Sequence, residues 1–340
     1  MRDAPQNMIG QSPALTAALD HLSLLATIDR PVLILGERGT GKELAAERLH
    51  YLSSRWSEAF IKVNCGAITE TLLESELFGH EAGAFTGATK QHIGRFERAD
   101  GGSLFLDELG TMSLRLQEKL LRLIEYGEFE RVGGQKTLKV DVRVIGATNA
   151  NLPDMANAGE FRWDLLDRLS FDVVSLPPLR ERHEDIAELA SHFAVRFVAE
   201  LGWDVFPGFT EEALSMLQSH TWHGNIRELK NAVERSLFRW GQQDSEVDEL
   251  ILDPFGTQQT VQNTEITHPI KDHLQPTDDS SKWPIDLRST LNSFERDLAS
   301  EALAEAQFSQ RKAATLLGLS YDQMRSVVRK HKLQPKSKET

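Results

Sequence analysis

The residues PVLILG run directly into ERGTGKE, residues 31–43, and few local patterns restrict a fold so tightly. A continuous apolar run of strand length, without polar alternation, belongs to a strand covered on both faces, as in a parallel sheet with helices on each side. The adjoining stretch, Gly36-Glu37-Arg38-Gly39-Thr40-Gly41-Lys42-Glu43, suits a phosphate. Its glycines let backbone N–H groups converge, the helix N-terminus adds positive potential, and Lys42 can reach the β and γ oxygens. The expected fold is α/β, and the expected ligand a nucleotide. The general motif ends in Ser or Thr as a magnesium ligand, but here Glu43 stands instead, so metal binding has to lean on another residue.

Ser103-Leu104-Phe105-Leu106-Asp107-Glu108 supplies that residue, as an apolar strand ending in two carboxylates. Asp107 suits Mg2+ or its waters, and Glu108 suits the polarisation of an attacking water. A third buried strand, Val142 to Asn149, ends in polar side chains. At the C-terminal edge of a parallel sheet Asn149 would lie beside a γ-phosphate, or else simply close the strand as a turn residue. Asn64, which ends the strand Phe60 to Val63, carries the same two readings: a turn residue, or a side chain that holds Glu108 away from its water.

The chain has 340 residues and a formal charge of −13, yet from Phe308 to the end eight Lys/Arg face two Asp/Glu, so a +6 tail follows a body at −19. That asymmetry fits either a segment for a polyanion or a solvated basic helix. The apolar runs are strand-sized, and Met1 to Gly10 lacks the regions of a signal peptide, so a soluble, cytoplasmic protein without membrane insertion is expected. The single cysteine, Cys65, excludes an internal disulfide and reads as small and buried. Residues 254–284, rich in Thr, Gln, Asp and Pro, read as a linker. Helical spacing returns with Leu287, Leu291, Phe294, Leu298 and Leu303. Near the N-terminus Ser12 and Pro13 form an N-cap and first-turn pair for another helix.

HEAGAFTGAT, His80 to Thr89, is odd inside a globular protein: glycines and alanines surround a phenylalanine without apolar neighbours. GERGTGKE, GAFTGA, SLFLDE, ATN, FRWDLLDRL and WHGNIRELKN, in this order, resemble the AAA+ bacterial enhancer-binding proteins that activate RNA polymerase carrying sigma-54. The resemblance implies a P-loop ATPase of parallel sheet and flanking helices over 1–175, a helical lid over 176–253, and a DNA-binding domain over 285–340. It implies ATP and Mg2+ as cofactors. Gly83, Ala84, Phe85, Thr86, Gly87 and Ala88 would be the sigma-54 contact, with Phe85 and Thr86 at the tip. Arg162 and Arg168 resemble arginine fingers inserted into a neighbour's ATP site, which implies a ring, a homohexamer; the plainer alternative is surface salt bridges with Asp164 and Asp167. Arg227 resembles the arginine that senses nucleotide from above. Glu128 to Gly134 reads as a hairpin turn, or as a second loop that moves alongside GAFTGA.

The basic tail from Gln310 to Lys330 reads helix, Gly-containing turn, Ser N-cap, helix, and resembles the helix-turn-helix of the factor-for-inversion type. Ala314, Leu317, Leu319, Met324, Val327 and Val328 would face inward. Tyr321, Gln323, Arg325, Ser326, Arg329 and Lys330 would face an upstream DNA element, and the preceding helix would dimerise the module. With no room ahead of Gly36 for a receiver or sensing domain, control is expected in trans. Within the family, the short front end and YLSSRWSEAF resemble the phage-shock branch, which implies the shock protein PspA as inhibitor and Trp56 as its anchor; an ordinary half-buried Trp is the alternative. Two other classes share parts of this pattern. A nucleotide-switched repressor would not need Glu108 or the paired arginines, and an unfoldase or helicase would present other pore loops and no site-specific DNA module.

Overall fold

The computed structural model describes residues 8–254, 287–306, 309–331 and 333. The chain divides into two compact units, Met1–Gln259 and Thr260–Thr340. The linker expected over 254–284 lies, apart from Pro254, outside the described residues.

The first unit opens with helix α1 (Pro13–Ala26), strand β1 (Val32–Leu35), α2 (Lys42–Tyr51), β2 (Phe60–Asn64), α3 (Glu70–Phe78), the single turn α4 (Arg95–Arg98) and β3 (Ser103–Asp107). It continues through α5 (Leu114–Tyr126), the short strands β4 (Glu128–Glu130) and β5 (Thr137–Lys139), β6 (Arg143–Thr148), α6 (Leu152–Asn157), α7 (Trp163–Leu169) and β7 (Val173–Ser175). Strands pair in parallel in the order β2-β3-β6-β1-β7, and β4 and β5 form a separate antiparallel hairpin. Alternation along each strand divides its side chains between two cores. Leu33, Leu104, Leu106 and Val144 pack with α3, α5 and α7 on one face. Val32, Ile34, Phe105, Ile145 and Val174 pack with α1 and α2 on the other. The register sets Leu35 beside Thr148 and Asn64 beside Asp107, so the polar strand ends meet at one edge. β6 stops at Thr148, one residue short of the expected Asn149.

Next in the chain is a helical subdomain, with α8 (His183–Glu200), α9 (Glu211–Ser219) and α10 (Asn225–Trp240) around fully buried Trp222, whose indole N–H donates to the Leu217 carbonyl at 2.8 Å. Removing a side chain of that size from a packed core costs about 3–5 kcal/mol. Ser12 occupies the N-cap position of α1, but its hydroxyl donates to Asp185 Oδ2 on α8 instead of closing its own helix. The Gln11 and Ser12 N–H groups donate to Asp185 Oδ1, and Arg182 pairs with the same carboxylate, both 1% exposed. A cap is thus exchanged for a buried charged joint between the N-terminal segment and the helical subdomain.

The second unit holds α11 (Leu287–Glu305), α12 (Gln310–Leu316) and α13 (Tyr321–His331) around Ala302, Leu303, Ala306, Ala313, Ala314 and Met324. Leu317, Leu319, Val327 and Val328 pack against that core as expected. Gly318 at φ +64° makes the turn between α12 and α13, a conformation that glycine takes without a Cβ clash. Of the expected α11 stripe Leu303 is buried and Leu298 exposed; the side chains of Leu287, Leu291 and Phe294 lie outside the described residues. Among the described residues, no helix is long and apolar enough to cross a membrane.

Candidate nucleotide site and its outward loop

The loop between β1 and α2 turns on Gly39 (φ +78°) and Gly41 (φ +96°), which frees backbone N–H groups from side-chain obstruction. Lys42, the first residue of α2, donates from Nζ to the Gly36 and Glu37 carbonyls at 2.9 and 3.0 Å. Burial lowers its pKa from the usual lysine value, against the opposing pull of Asp107 and Glu108. Thr40 donates to the Glu37 carbonyl and is almost fully buried, which ties the loop to itself. An open cleft of about 1340 Å³ brings together Gly39, Lys42, Asp107 and Arg227, and extends to Trp56.

Asp107 ends β3 and accepts from the Glu108 N–H at 2.9 Å. Glu108 sits at φ +54°, an uncommon backbone state for a residue with a side chain and one that concentrates at functional sites. Its Oε1 is 4.0 Å from the Arg38 guanidinium. Gly66 leaves room for the other oxygen, since a Cβ there would stand 2.1 Å from Glu108 Oε2. Asn64 is exposed, and its side-chain oxygen accepts from the Gly66 N–H at 2.9 Å, so Asn64 and Glu108 converge on the same glycine. Cys65 between them is buried, and burial with the two nearby carboxylates pushes its thiol up to about 12, leaving it an inert filler.

Several expected side chains are engaged elsewhere. The Glu43 carboxylate pairs with Lys62 on β2 at 2.7 Å, and that of Glu37 pairs with Arg180. Asn149 is exposed just past β6, next to Thr148, whose carbonyl accepts the Gly36 N–H at 3.3 Å. Arg162 forms the pair with Asp164 that the plainer alternative gave it, whereas Arg168 reaches Glu125 on α5 rather than Asp167. The i,i+1 positions Asp167 and Arg168 point to different faces of α7, so the neighbouring helix supplies the partner.

The HEAGAFTGAT segment is a compact turn closed by Gly83 N–H to the Ala88 carbonyl at 2.7 Å, with Gly83 and Gly87 at positive φ in open space. Ala84 is half-buried and Ala88 buried beneath it; Thr86 is exposed and Phe85 is 45% exposed. Phe85 is not wholly without company, because its ring meets the edge of His80 at 4.9 Å. His80 in turn is held by Ser75 of α3 at 2.7 Å and lies over His92. The β4–β5 hairpin braces this turn. Its Gly133 is so close that a Cβ would stand 2.8 Å from that of Ala84, and Arg131 pairs with both Glu81 and Glu97. The sequence offers the Glu128 to Gly134 segment as one that moves alongside this loop, but not the individual contacts of His80 and Gly133, which lie between segments and leave no local pattern.

Trp56 is 60% exposed, which removes the half-buried alternative. On the second unit Tyr321, Gln323, Arg325, Ser326, Arg329 and Lys330 are all exposed. Gln323 and Ser320 cap the start of α13 reciprocally, each side chain accepting the other's N–H at 2.8 and 3.3 Å. Lys330 pairs with Glu295 of α11, and Tyr321 stacks under Arg311 at 5.6 Å.

A parallel sheet with a phosphate loop and paired carboxylates at its C-terminal edge, capped by a helical subdomain, defines a P-loop ATPase of the AAA+ class. The sigma-54 interaction domain family matches residues 8–175, and the AAA+ ATPase lid domain family matches residues 180–267. The Psp operon transcriptional activator of Escherichia coli (strain K12) is 52% identical over 335 residues, 98% of this chain and 100% of that protein. The chain therefore belongs to the AAA+ sigma-54-dependent transcriptional activators, and within them it is similar to the activator of the Psp operon. Solved structures of NtrX from Brucella abortus match over 96% of this chain. The complex with ADP has TM-score 0.70 and 32% identity over 69% of its own chain, and the complex with ATP 0.69 and 30% over 70%.

Proposed function

We propose that this protein hydrolyses ATP at the cleft and converts the energy into movement of the Phe85 turn against sigma-54, opening promoter complexes at a phage-shock operon. The observation that carries this reading is the path between the two places. Gly66, whose N–H donates to the Asn64 side chain, lies against Glu108 just ahead of α3, while His80 just past its other end meets the Phe85 ring. A helix of nine residues spans about 13 Å, and in this reading α3 carries a shift at Glu108 to the Phe85 turn.

In this reading Lys42 and the N–H groups of Gly36 to Gly41 hold the phosphates, and Asp107 is the residue that would hold Mg2+. Among the described residues one Asp107 oxygen accepts a hydrogen bond, from the Glu108 N–H, and the other has no such partner, a carboxylate oxygen suited to a hard cation. When bound, the ion neutralises phosphate charge. Glu108 polarises the attacking water, Asn64 withholds it until the geometry is right, and Asn149 and Arg227 report the γ-phosphate. Arg162 and Arg168 of a neighbouring copy complete the site in a hexameric ring, after leaving surface pairs that are worth about 0–1 kcal/mol each in solvent. The second unit acts as a helix-turn-helix that binds upstream DNA through the exposed face of α13, and exposed Trp56 docks PspA.

The test is promoter opening by purified sigma-54 polymerase with the wild type and with Glu108→Gln. The isosteric amide keeps the backbone state and should bind ATP. Turnover should fall on the order of 10²-fold or more, and open complexes should disappear with it. Turnover and opening at wild-type levels would overturn the assignment.

A further inference from the structure

The phosphate loop contains a carboxylate, Glu37, that a phosphate would repel. Its two oxygens receive a bidentate guanidinium, Arg180, at 2.7 and 2.9 Å, from the short turn that begins the helical subdomain. Asn225, the first residue of α10, adds a third bond to Glu37 Oε2 at 3.1 Å. Asn225 is fully buried and held at φ +54°, and it uses its whole side chain: the amide also donates to the Arg38 carbonyl at 3.0 Å, and its oxygen accepts the Leu179 N–H at 2.7 Å. Beside this cluster the Ile226 N–H donates to the Gly39 carbonyl at 3.0 Å, and a Cβ on Gly39 would stand 2.3 Å from the Gly224 carbonyl. Two residues beyond Asn225 stands Arg227, in the cleft with Lys42.

We infer that Glu37, Arg180 and Asn225 are positioning residues that clamp the start of α10 onto the phosphate loop and thereby aim Arg227 at the nucleotide. The Glu37 side chain is an anchor for the helical subdomain and not a ligand of ATP. A bidentate pair fixes orientation as well as distance, which a single lysine contact would not. Because Arg227 is carried on the same helix turn, a tilt of the phosphate loop as phosphate is released would be passed directly to α10. The inference rests on the cleft being the ATP site.

The experiment uses the full chain and a double-mutant cycle on KM and kcat for ATP, with Arg180→Ala, Arg227→Ala and the combination. Arg180→Ala should raise KM at least fivefold, and the double variant should be no worse than Arg227→Ala alone, because Arg180 acts through Arg227. Arg180→Lys, which keeps the charge but loses the fork, should restore the value only in part. Binding of N-methylanthraniloyl-ADP is measured in parallel. If the wild type fails to bind it, the reading of the cleft falls. If the wild type binds but Arg180→Ala has wild-type KM, or the two single effects simply add, the clamp is overturned while the ATP site stands. Should Arg180→Ala be insoluble, Glu37→Gln carries the same cycle with the same expected non-additivity.

Discussion

Glu37 is ionised under all ordinary conditions, because the bonds from Arg180, then from Asn225, hold its pKa at about 2 against an ordinary 4.5. A carboxylate with a depressed pKa stabilises the fold fully above its unfolded value and loses that contribution as pH falls through the folded one. The melting-temperature difference between wild type and Glu37→Gln should therefore stay level between about pH 6 and 9. It should shrink only as the pH drops from 4.5 towards 2. A difference that already narrowed near neutrality would show that a group other than Glu37 carries it. The residues proposed to act on the nucleotide are legible in the sequence, because Lys42, Asp107 and Glu108 each stand at or just past the end of a strand whose apolar run announces itself. Arg180 and Asn225 are not, since their meaning depends on Glu37, more than 140 positions away in the chain.

The hairpin β4–β5 is the element packed against the Phe85 turn, through Gly133 against Ala84 and Arg131 against Glu81. Gly133 stands at φ +73° with its absent Cβ aimed at Ala84, so a side chain there must displace the turn or the hairpin. Gly133→Val should leave ATP turnover within a few-fold of wild type and abolish promoter opening, as checked by ATPase rate and open-complex yield on one preparation. Loss of both together would place the hairpin in the hydrolytic machinery instead. Four of the five parallel strands, β1, β2, β3 and β6, and the three helices of the second unit were readable from apolar runs and periodicity, which depend only on neighbours in the chain, whereas the three-residue β7 was not. The hairpin was readable as a turn or as a loop beside GAFTGA, but the contact through which it braces the Phe85 turn was not. It arises from close backbone approach, and a lone glycine does not say what approaches it.

Across the whole chain, the ATPase body and the three-helix unit each have a core of their own, Trp222 and the sheet in one, Ala302 and Met324 in the other. Units with separate cores fold separately. A chain ending at Asp253 should hydrolyse ATP and open promoters from solution at high concentration, yet lose the salt-dependent DNA binding expected of the full chain in a mobility-shift titration. Retained DNA binding would assign that role to the body. Coupling between the cleft and the Phe85 turn is tested most directly by trapping the full chain with ADP and aluminium fluoride, an analogue of the hydrolytic transition state, in the presence of purified sigma-54. Wild-type protein should form a stable complex with sigma-54 only when the analogue is present, while Phe85→Ala should bind the analogue and hydrolyse ATP within a few-fold of wild type without capturing sigma-54. A complex between Phe85→Ala and sigma-54 as stable as that of the wild type would contradict the assignment of Phe85 as the transmitting contact.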